Sequence, residues 1–483
     1  MRFQARLATF LLFAAILLPT SGCRLHQPLA PQPPAPMPAA FRHATAGAPP
    51  APGLVAPWWR AFKDPHLDRL ETTLIADNLD IKQAYARLRE LEAASRAAEA
   101  PLFPFLNLGA ETGRSRQATT GNTAASTGQL SLAAGYEIDL WRKLANQRSI
   151  ARLTADASRE QLKTLYLTLT CQAADLFYLA HEQQAQLALT DAIINTLTTT
   201  RDQVELRYRQ GLTTSLYLHQ ADLALAAARS QRPGQQTALT ISEHGLAILL
   251  GRYPEAPAAA QATAELPPPP ALFSTGLPAR LLTQRPDINA AALRVRAADA
   301  GVAAAIANRF PAVNLLAGLG ASRTDSGPTV LHSTFWSLLI DLTQPIIDGG
   351  RRRAEVDRQQ ALLAETLAAY QQTVLKAFQE VEDALVANQG AEEQLGLLRK
   401  QAATALATRQ RAEDGYRLGI NDSLAMLDSQ RQDQEVRRQL LAARRRLLSA
   451  RIGLARALGG GWLDKTLAEN LPPTAAEDGD HAQ

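Results

Sequence analysis

LFPFLNLGAETG, residues 102–113, is answered by RFPAVNLLAGLG, residues 309–320, about 208 residues further on. Both stretches carry Phe-Pro, then Asn-Leu, then a run of small residues. A match at a fixed offset is the sequence signature of an internal repeat, and it organises everything else in the chain. The same offset pairs Asn78-Leu79-Asp80-Ile81 with Arg285-Pro286-Asp287-Ile288, and Tyr136-Glu137-Ile138-Asp139-Leu140 with Gln344-Pro345-Ile346-Ile347-Asp348. It also pairs Tyr208-Arg209-Gln210-Gly211 with Tyr416-Arg417-Leu418-Gly419. The chain is therefore written twice, as copies 58–250 and 279–460, joined by a linker 251–278 that holds Pro267 to Pro270.

Each copy follows one grammar. A helical stretch, about 62–100 or 280–308, stops at Phe103-Pro104 or Phe310-Pro311, because proline removes a donor and clashes with the preceding turn. Hairpins follow over 104–140 and 311–347, with polar outer turns at 113–127 and 322–330. In 129–140, Leu130, Leu132, Ala134, Tyr136, Ile138 and Leu140 share one face, and Gln129, Ser131, Glu137 and Asp139 the other. Trp336, Leu338, Ile340 and Leu342 stand likewise against Ser337, Asp341 and Thr343. Period-2 alternation over about 10 residues marks a transmembrane strand with one face to lipid and one to water; a soluble hairpin shows the same pattern.

After each hairpin comes a very long helix, about 142–209 or 351–416, roughly 100 Å at 1.5 Å per residue. Leu367, Val374 and Val381 recur every seven residues, with Phe378 and Leu385 between, as in a coiled-coil seam. A glycine turn at Gly211 or Gly419 reverses the chain. Helices over 214–250 and 423–458 return and are expected to stack end to end with the opening helices.

The composition suits long helices: aromatics are 5% and the net charge is +4. Basic runs such as Arg351–Arg353 and Arg444–Arg446 lack interleaved aromatics and read as solvated helix faces, not a nucleic-acid surface. Cys171 reads as a small buried residue. No metal-ligand spacing, phosphate loop or nucleophile elbow is present, so no catalytic residue, metal or cofactor is expected.

At the N-terminus, Arg2 and Arg6 precede an apolar stretch of about 13 residues, too short to cross a bilayer and right for a signal peptide over 1–22. Thr20-Ser21-Gly22-Cys23 resembles a lipoprotein cleavage box with Thr20 where Leu is usual, so Cys23 is the expected lipidation site. Arg24 stands where Asp would resemble inner-membrane retention, which favours the outer membrane. Residues 23–57 read as a Pro- and Ala-rich tether, and 461–483 as a tail.

Two hairpins give four strands, too few to close a barrel. An open sheet edge in lipid leaves backbone groups unpaired at several kcal/mol each, so closure must be shared among copies. A dimer gives eight strands and a filled interior; a trimer gives twelve and a water-filled pore, which the polar face favours.

The chain resembles the TolC-like outer-membrane efflux proteins, in their lipoprotein branch. The resemblance rests on Trp58-Trp59-x-x-Phe62-x-Asp64-Pro65-x-Leu67, Arg285-Pro286-Asp287-Ile288, Phe310-Pro311, Asp348-Gly349-Gly350-Arg351 and both Tyr-x-x-Gly turns. Two departures stand out: Ala292 replaces a frequent Glu, and the first copy lacks the Gly expected between Trp141 and Arg142. The resemblance implies a mainly helical homotrimer whose twelve-stranded β-barrel lies in outer-membrane lipid and continues as a periplasmic tunnel. Its expected partners are a periplasmic adaptor and an inner-membrane RND-type pump. It places a periplasmic gate at Tyr416, Arg417 and Asp428, where three-fold symmetry would make a carboxylate ring that favours cations. It places adaptor docking at the tip turns, with Tyr208, Gly211, Leu212, Gly419 and Ile420. The function implied is a passive exit duct of a tripartite efflux system. A type I secretion duct shares this architecture, and a periplasmic coiled-coil protein is the alternative outside transport.

Overall fold

The computed structural model describes residues 25–44, 56–116, 124–254, 266–273, 278–326, 330–460 and 462–463. The expected signal peptide, Cys23, much of the linker and the tail from 464 lie outside the described residues. In order, the elements are α1 (Pro65–Asp77), α2 (Leu79–Glu99), β1 (Phe105–Arg116), β2 (Ala124–Ile138), α3 (Lys143–Arg209) and α4 (Ser215–Leu249). The second copy repeats them as a short α5 (Leu281–Gln284), α6 (Pro286–Ala307), β3 (Ala312–Asp325), β4 (Val330–Thr343), α7 (Arg351–Arg417) and α8 (Ser423–Leu458). The repeat is evident in the lengths: α3 and α7 each have 67 residues, and α4 and α8 have 35 and 36. No helix among the described residues is long and apolar enough to cross a membrane.

The chain divides into two compact units. The first comprises Met1–Pro33, Arg87–Arg159 and Ala290–Gln372 and holds all four strands, in the order β1-β2-β3-β4 with every neighbouring pair antiparallel. β2 ends at Ile138, two residues earlier than the alternation suggests. Asp139 leaves the strand because its carboxylate is used elsewhere: it accepts from the backbone N–H of Leu144 at 3.1 Å and Ala145 at 2.8 Å, capping α3. Trp141 stacks on Phe310 with centroids 4.9 Å apart and donates from Nε1 to the Pro311 carbonyl at 2.8 Å. In this unit the N-terminal segment is pinned to α6, where Asp299 contacts His26 Nε2 at 2.6 Å and accepts from Leu29 N at 3.1 Å.

The second unit comprises Pro34–Ala86, Glu160–Asn289 and Thr373–Gln483. Its core is aromatic at one end. Trp58, Trp59 and Phe62 are buried; Trp59 meets Trp462 edge-on at 5.0 Å, and Phe62 stacks on Tyr178 at 5.6 Å. The Trp58 indole donates to Thr170 Oγ1 at 3.3 Å, which satisfies its one polar atom. Phe41 is buried against Phe378, a residue of the expected seam, with centroids 5.1 Å apart. Its neighbours Arg42 and His43 bond to Glu382. Val374, Val381 and Leu385 of the same seam are buried as well.

The opening helix of the first copy, expected as one piece over 62–100, is broken between α1 and α2. Asn78 is extended there (φ −58, ψ 130); its Oδ1 accepts from Ile81 N at 3.0 Å, capping α2, and its Nδ2 donates to the Leu249 carbonyl at 2.8 Å. The second copy breaks at Arg285, which Pro286 forces out of helical conformation, and Arg285 Nη1 donates to the Ala457 carbonyl at 2.9 Å. Each break thus holds the last turn of the returning helix against the start of the opening one. Gly251 and Gly459 complete these joints with φ of +69 and +70. A Cβ would lie 2.8 Å from the Asp77 carbonyl oxygen at the first and 2.9 Å from that of Gln284 at the second.

Candidate functional site

The strand registers assign every side chain to a face. Directly opposed residues share a face, so Leu108↔Leu132, Leu132↔Leu319 and Leu319↔Trp336 form one apolar row across all four strands. Leu106, Leu130, Leu338, Ile340 and Leu342 extend that face and are exposed, Trp336 at 81%. An apolar surface this large has no place in water.

The opposite face carries Glu111↔Gln129, Gln129↔Ser322 and Ser322↔Ser333, with the last two hydroxyls 2.7 Å apart. Asn314 Nδ2 donates to Asp341 on that face at 3.3 Å. Glycines keep it shallow. Phe105 lies over Gly135 and Phe335 over Gly320, so that a Cβ at either glycine would strike the ring. One side of the sheet is built for lipid and the other for water, while β1 and β4 each leave an edge without a neighbouring strand among the described residues.

At the far ends of the long helices the two turns are built alike. Gly211 (φ +73) and Gly419 (φ +74) take left-handed conformations that end α3 and α7. Gly211 N and Leu212 N donate to the carbonyls of Tyr208 and Arg207, both at 2.9 Å. Gly419 N and Ile420 N donate to those of Tyr416 and Gly415 at 3.1 and 2.8 Å. The result projects Leu212 and Ile420 outward, exposed by 71% and 76%.

The two tyrosines before these glycines part company. Tyr208 is exposed, whereas Tyr416 is buried with Val204, Ala221 and Met426. Arg207 lies over the Tyr416 ring at 4.2 Å and donates to its carbonyl at 3.1 Å. Arg417 is exposed and, among the described residues, reaches only Asp414 at 3.5 Å. Asp428 is held within its own helix by Arg431 Nη2 at 2.6 Å and Gln432 Nε2 at 2.9 Å. Within one chain Tyr416, Arg417 and Asp428 do not form one cluster, and Asp428 already carries a basic partner.

The pattern of the outer membrane efflux proteins matches residues 72–252 and 277–460, one stretch in each copy. The chain belongs to the outer membrane efflux protein family. Among its relatives, the pyoverdine export outer membrane protein OpmQ of Pseudomonas putida is 33% identical over 421 residues, covering 84% of this chain and 88% of the relative. The cation efflux system protein CusC of Escherichia coli is 28% identical over 413 residues, covering 84% and 88%. The structure of the outer-membrane channel OprN superposes with a TM-score of 0.82 at 27% identity, covering 91% of this chain and all of that one. The four-stranded sheet and the paired long helices are those of an outer-membrane efflux channel.

Other polar groups here were not singled out from the sequence. Asp433, buried on α8, pairs with Arg409 at 3.1 Å and Arg437 at 3.0 Å, and Arg409 also holds Glu413 at 2.7 Å. Gln430 donates to Glu413 at 3.0 Å and Thr200 at 3.4 Å, tying α8 to α7 and α3. The i, i+4 spacings of Arg409–Glu413 and Asp433–Arg437 were readable signals; the burial of Asp433 was not. Nearer the aromatic core, Glu71 is fully buried, and burial, with Asp68 second, pushes its carboxyl well above the usual range. Among the described residues no cluster of three or more His, Cys, Asp or Glu could hold a metal ion.

Proposed function

We propose that this channel is the passive outer-membrane exit duct of a tripartite efflux system, closed as a homotrimer and fed with small molecules by an inner-membrane RND-type pump through a periplasmic adaptor. The observation that carries the trimer is the two-faced sheet with both edges open: β4 of one copy pairs with β1 of the next until twelve strands close. The relatives named for pyoverdine export and cation efflux support small-molecule export.

The exposed Leu212 and Ile420, set on Gly211 and Gly419 beside Tyr208, are the docking points for the adaptor. The gate is proposed at Tyr416, Arg417 and Asp428, with Arg207 locking Tyr416. Cys23 carries the lipid that anchors the mature N-terminus.

The test is export by strains carrying Leu212→Arg, Ile420→Arg or both, measured as accumulation of a fluorescent efflux substrate. The double variant should accumulate substrate like a channel deletion while still forming trimers with ordinary single-channel conductance. Full export by the double variant would remove the tip from the mechanism.

A further inference from the structure

The repeat supplies an internal control for one strained residue. Gly350 immediately precedes α7 with φ +82, and Arg142 holds the matching position before α3 with φ +62. A left-handed backbone is free for glycine and disfavoured for a residue with a Cβ. The first copy therefore keeps an arginine where the second shows that glycine serves the turn. Strain retained at one residue points to a use for its side chain.

That side chain lines a cavity of about 400 Å³ in the strand-bearing unit, with Arg296, Asn146, Ser149, Leu25 and Leu153 also in its wall. Among the described residues neither guanidinium is paired with a carboxylate. The acid in the wall, Asp299, is already committed to His26 and to the Leu29 backbone N–H. The cavity thus presents two arginines and two neutral polar side chains beside apolar surface, which suits an anion attached to an apolar body. Its position names the source. Trp141, also in the wall, follows the end of β2 where strands give way to helices, and Leu25 lies two residues beyond the proposed lipid-bearing Cys23. In an outer-membrane barrel that end of the sheet faces the periplasmic leaflet.

We propose that this cavity binds the phosphate of a phospholipid from the periplasmic leaflet of the outer membrane, gripped by Arg142 and Arg296. This inference rests on the barrel's place in that membrane and goes beyond the export reading.

Native mass spectrometry of the detergent-purified trimer, titrated with phosphatidylglycerol, tests it. All chains carry Cys23→Ala so that their own acyl groups are not counted. Arg142→Gly installs the residue that the second copy already uses in this conformation, so the fold is kept. It should weaken phosphatidylglycerol retention about tenfold, as loss of one charge-assisted contact does. Adding Arg296→Ala should abolish retention. Inorganic phosphate at millimolar concentration should not displace the lipid. Equal retention by Arg142→Gly would overturn the proposal, as would displacement by inorganic phosphate, or a loss of trimer with lipid retention unaltered. Single-channel conductance of Arg142→Gly should match that of the parent, so that failure of the lipid site and failure of the channel reading remain distinguishable.

Discussion

Arg207 of α3 covers the ring of Tyr416 at the end of α7, 4.2 Å from its centroid, and donates to the Tyr416 carbonyl at 3.1 Å. One side chain thus secures the second copy's tip turn from the first copy's long helix. Removing it forfeits a cation–π contact and a hydrogen bond, about 1–2 kcal/mol together. Arg207→Ala should therefore raise mean single-channel conductance and open probability in planar bilayers, while Arg207→Lys should keep part of the closure. Conductance unchanged in Arg207→Ala would remove this contact from the proposed gate.

If Asp428 belongs to the gate as proposed, its charge should act on the pore, moderated by Arg431. Asp428→Asn should lower selectivity for cations over anions, read as a shift in reversal potential across a salt gradient. Arg431→Ala, which bares the carboxylate, should shift it the opposite way. Identical reversal potentials in both variants would assign the pair to the helix surface alone.

The glycine joints separate two kinds of cost. At Gly211 a Cβ meets nothing within 4 Å, so Gly211→Ala carries only the left-handed penalty of about 1 kcal/mol. At Gly251 the same φ is joined by the Asp77 carbonyl oxygen 2.8 Å from a Cβ, so the backbone must move. Thermal unfolding should show Gly251→Ala losing clearly more stability than Gly211→Ala. Equal losses would mean that the joint yields without cost.

Glu71 makes stability depend on pH with a defined sign. Burial raises its folded-state pKa well above the ordinary 4.5, so its favourable contribution is complete below that value and fades as pH rises through the raised one. Asp68 on its own helix and Cys171 and Tyr178 on α3 are the ionisable groups nearby. Glu71→Gln keeps the shape and cannot ionise. Its melting temperature relative to wild type should rise more at pH 8 than at pH 5, by an amount equivalent to about 1–3 kcal/mol. A pH-independent difference would show that the carboxyl is not buried.

Much of this architecture was legible because it is written in periods and offsets. The repeat displays the copies side by side, the alternation in 129–140 and 335–343 marks lipid and water faces although β2 stops at Ile138, and Gly211 and Gly419 mark the reversals. What escaped was decided by tertiary partners. Nothing in Ala76-Asp77-Asn78-Leu79 breaks a helical pattern; the break exists because the Asn78 amide reaches Leu249, 171 residues away. Its counterpart at Arg285 falls inside 280–308, which was likewise expected as one helical stretch although Pro286 marks the break. Residues 25–44 have the composition of a tether, yet Asp299 and Phe378 hold His26 and Phe41 in place. The Arg207–Tyr416 contact joins the two copies, and the repeat cannot announce it, since Gly415 stands where a second Arg207 would be.

The central claim is that three copies close one barrel through the free edges of β1 and β4. Two intervening strands hold those edges about 14 Å apart within one chain at the usual strand spacing, too far for a disulfide. Cysteine at Asn107 on the water face of β1, paired in turn with cysteine at Ser333, Ser337 or Asp341 on that face of β4, can therefore cross-link only between copies. Under mild oxidation in intact outer membranes, at least one pair should give covalent dimers and trimers on a denaturing gel and nothing larger. Monomer alone from all three pairs, or a ladder continuing past three, would contradict the account.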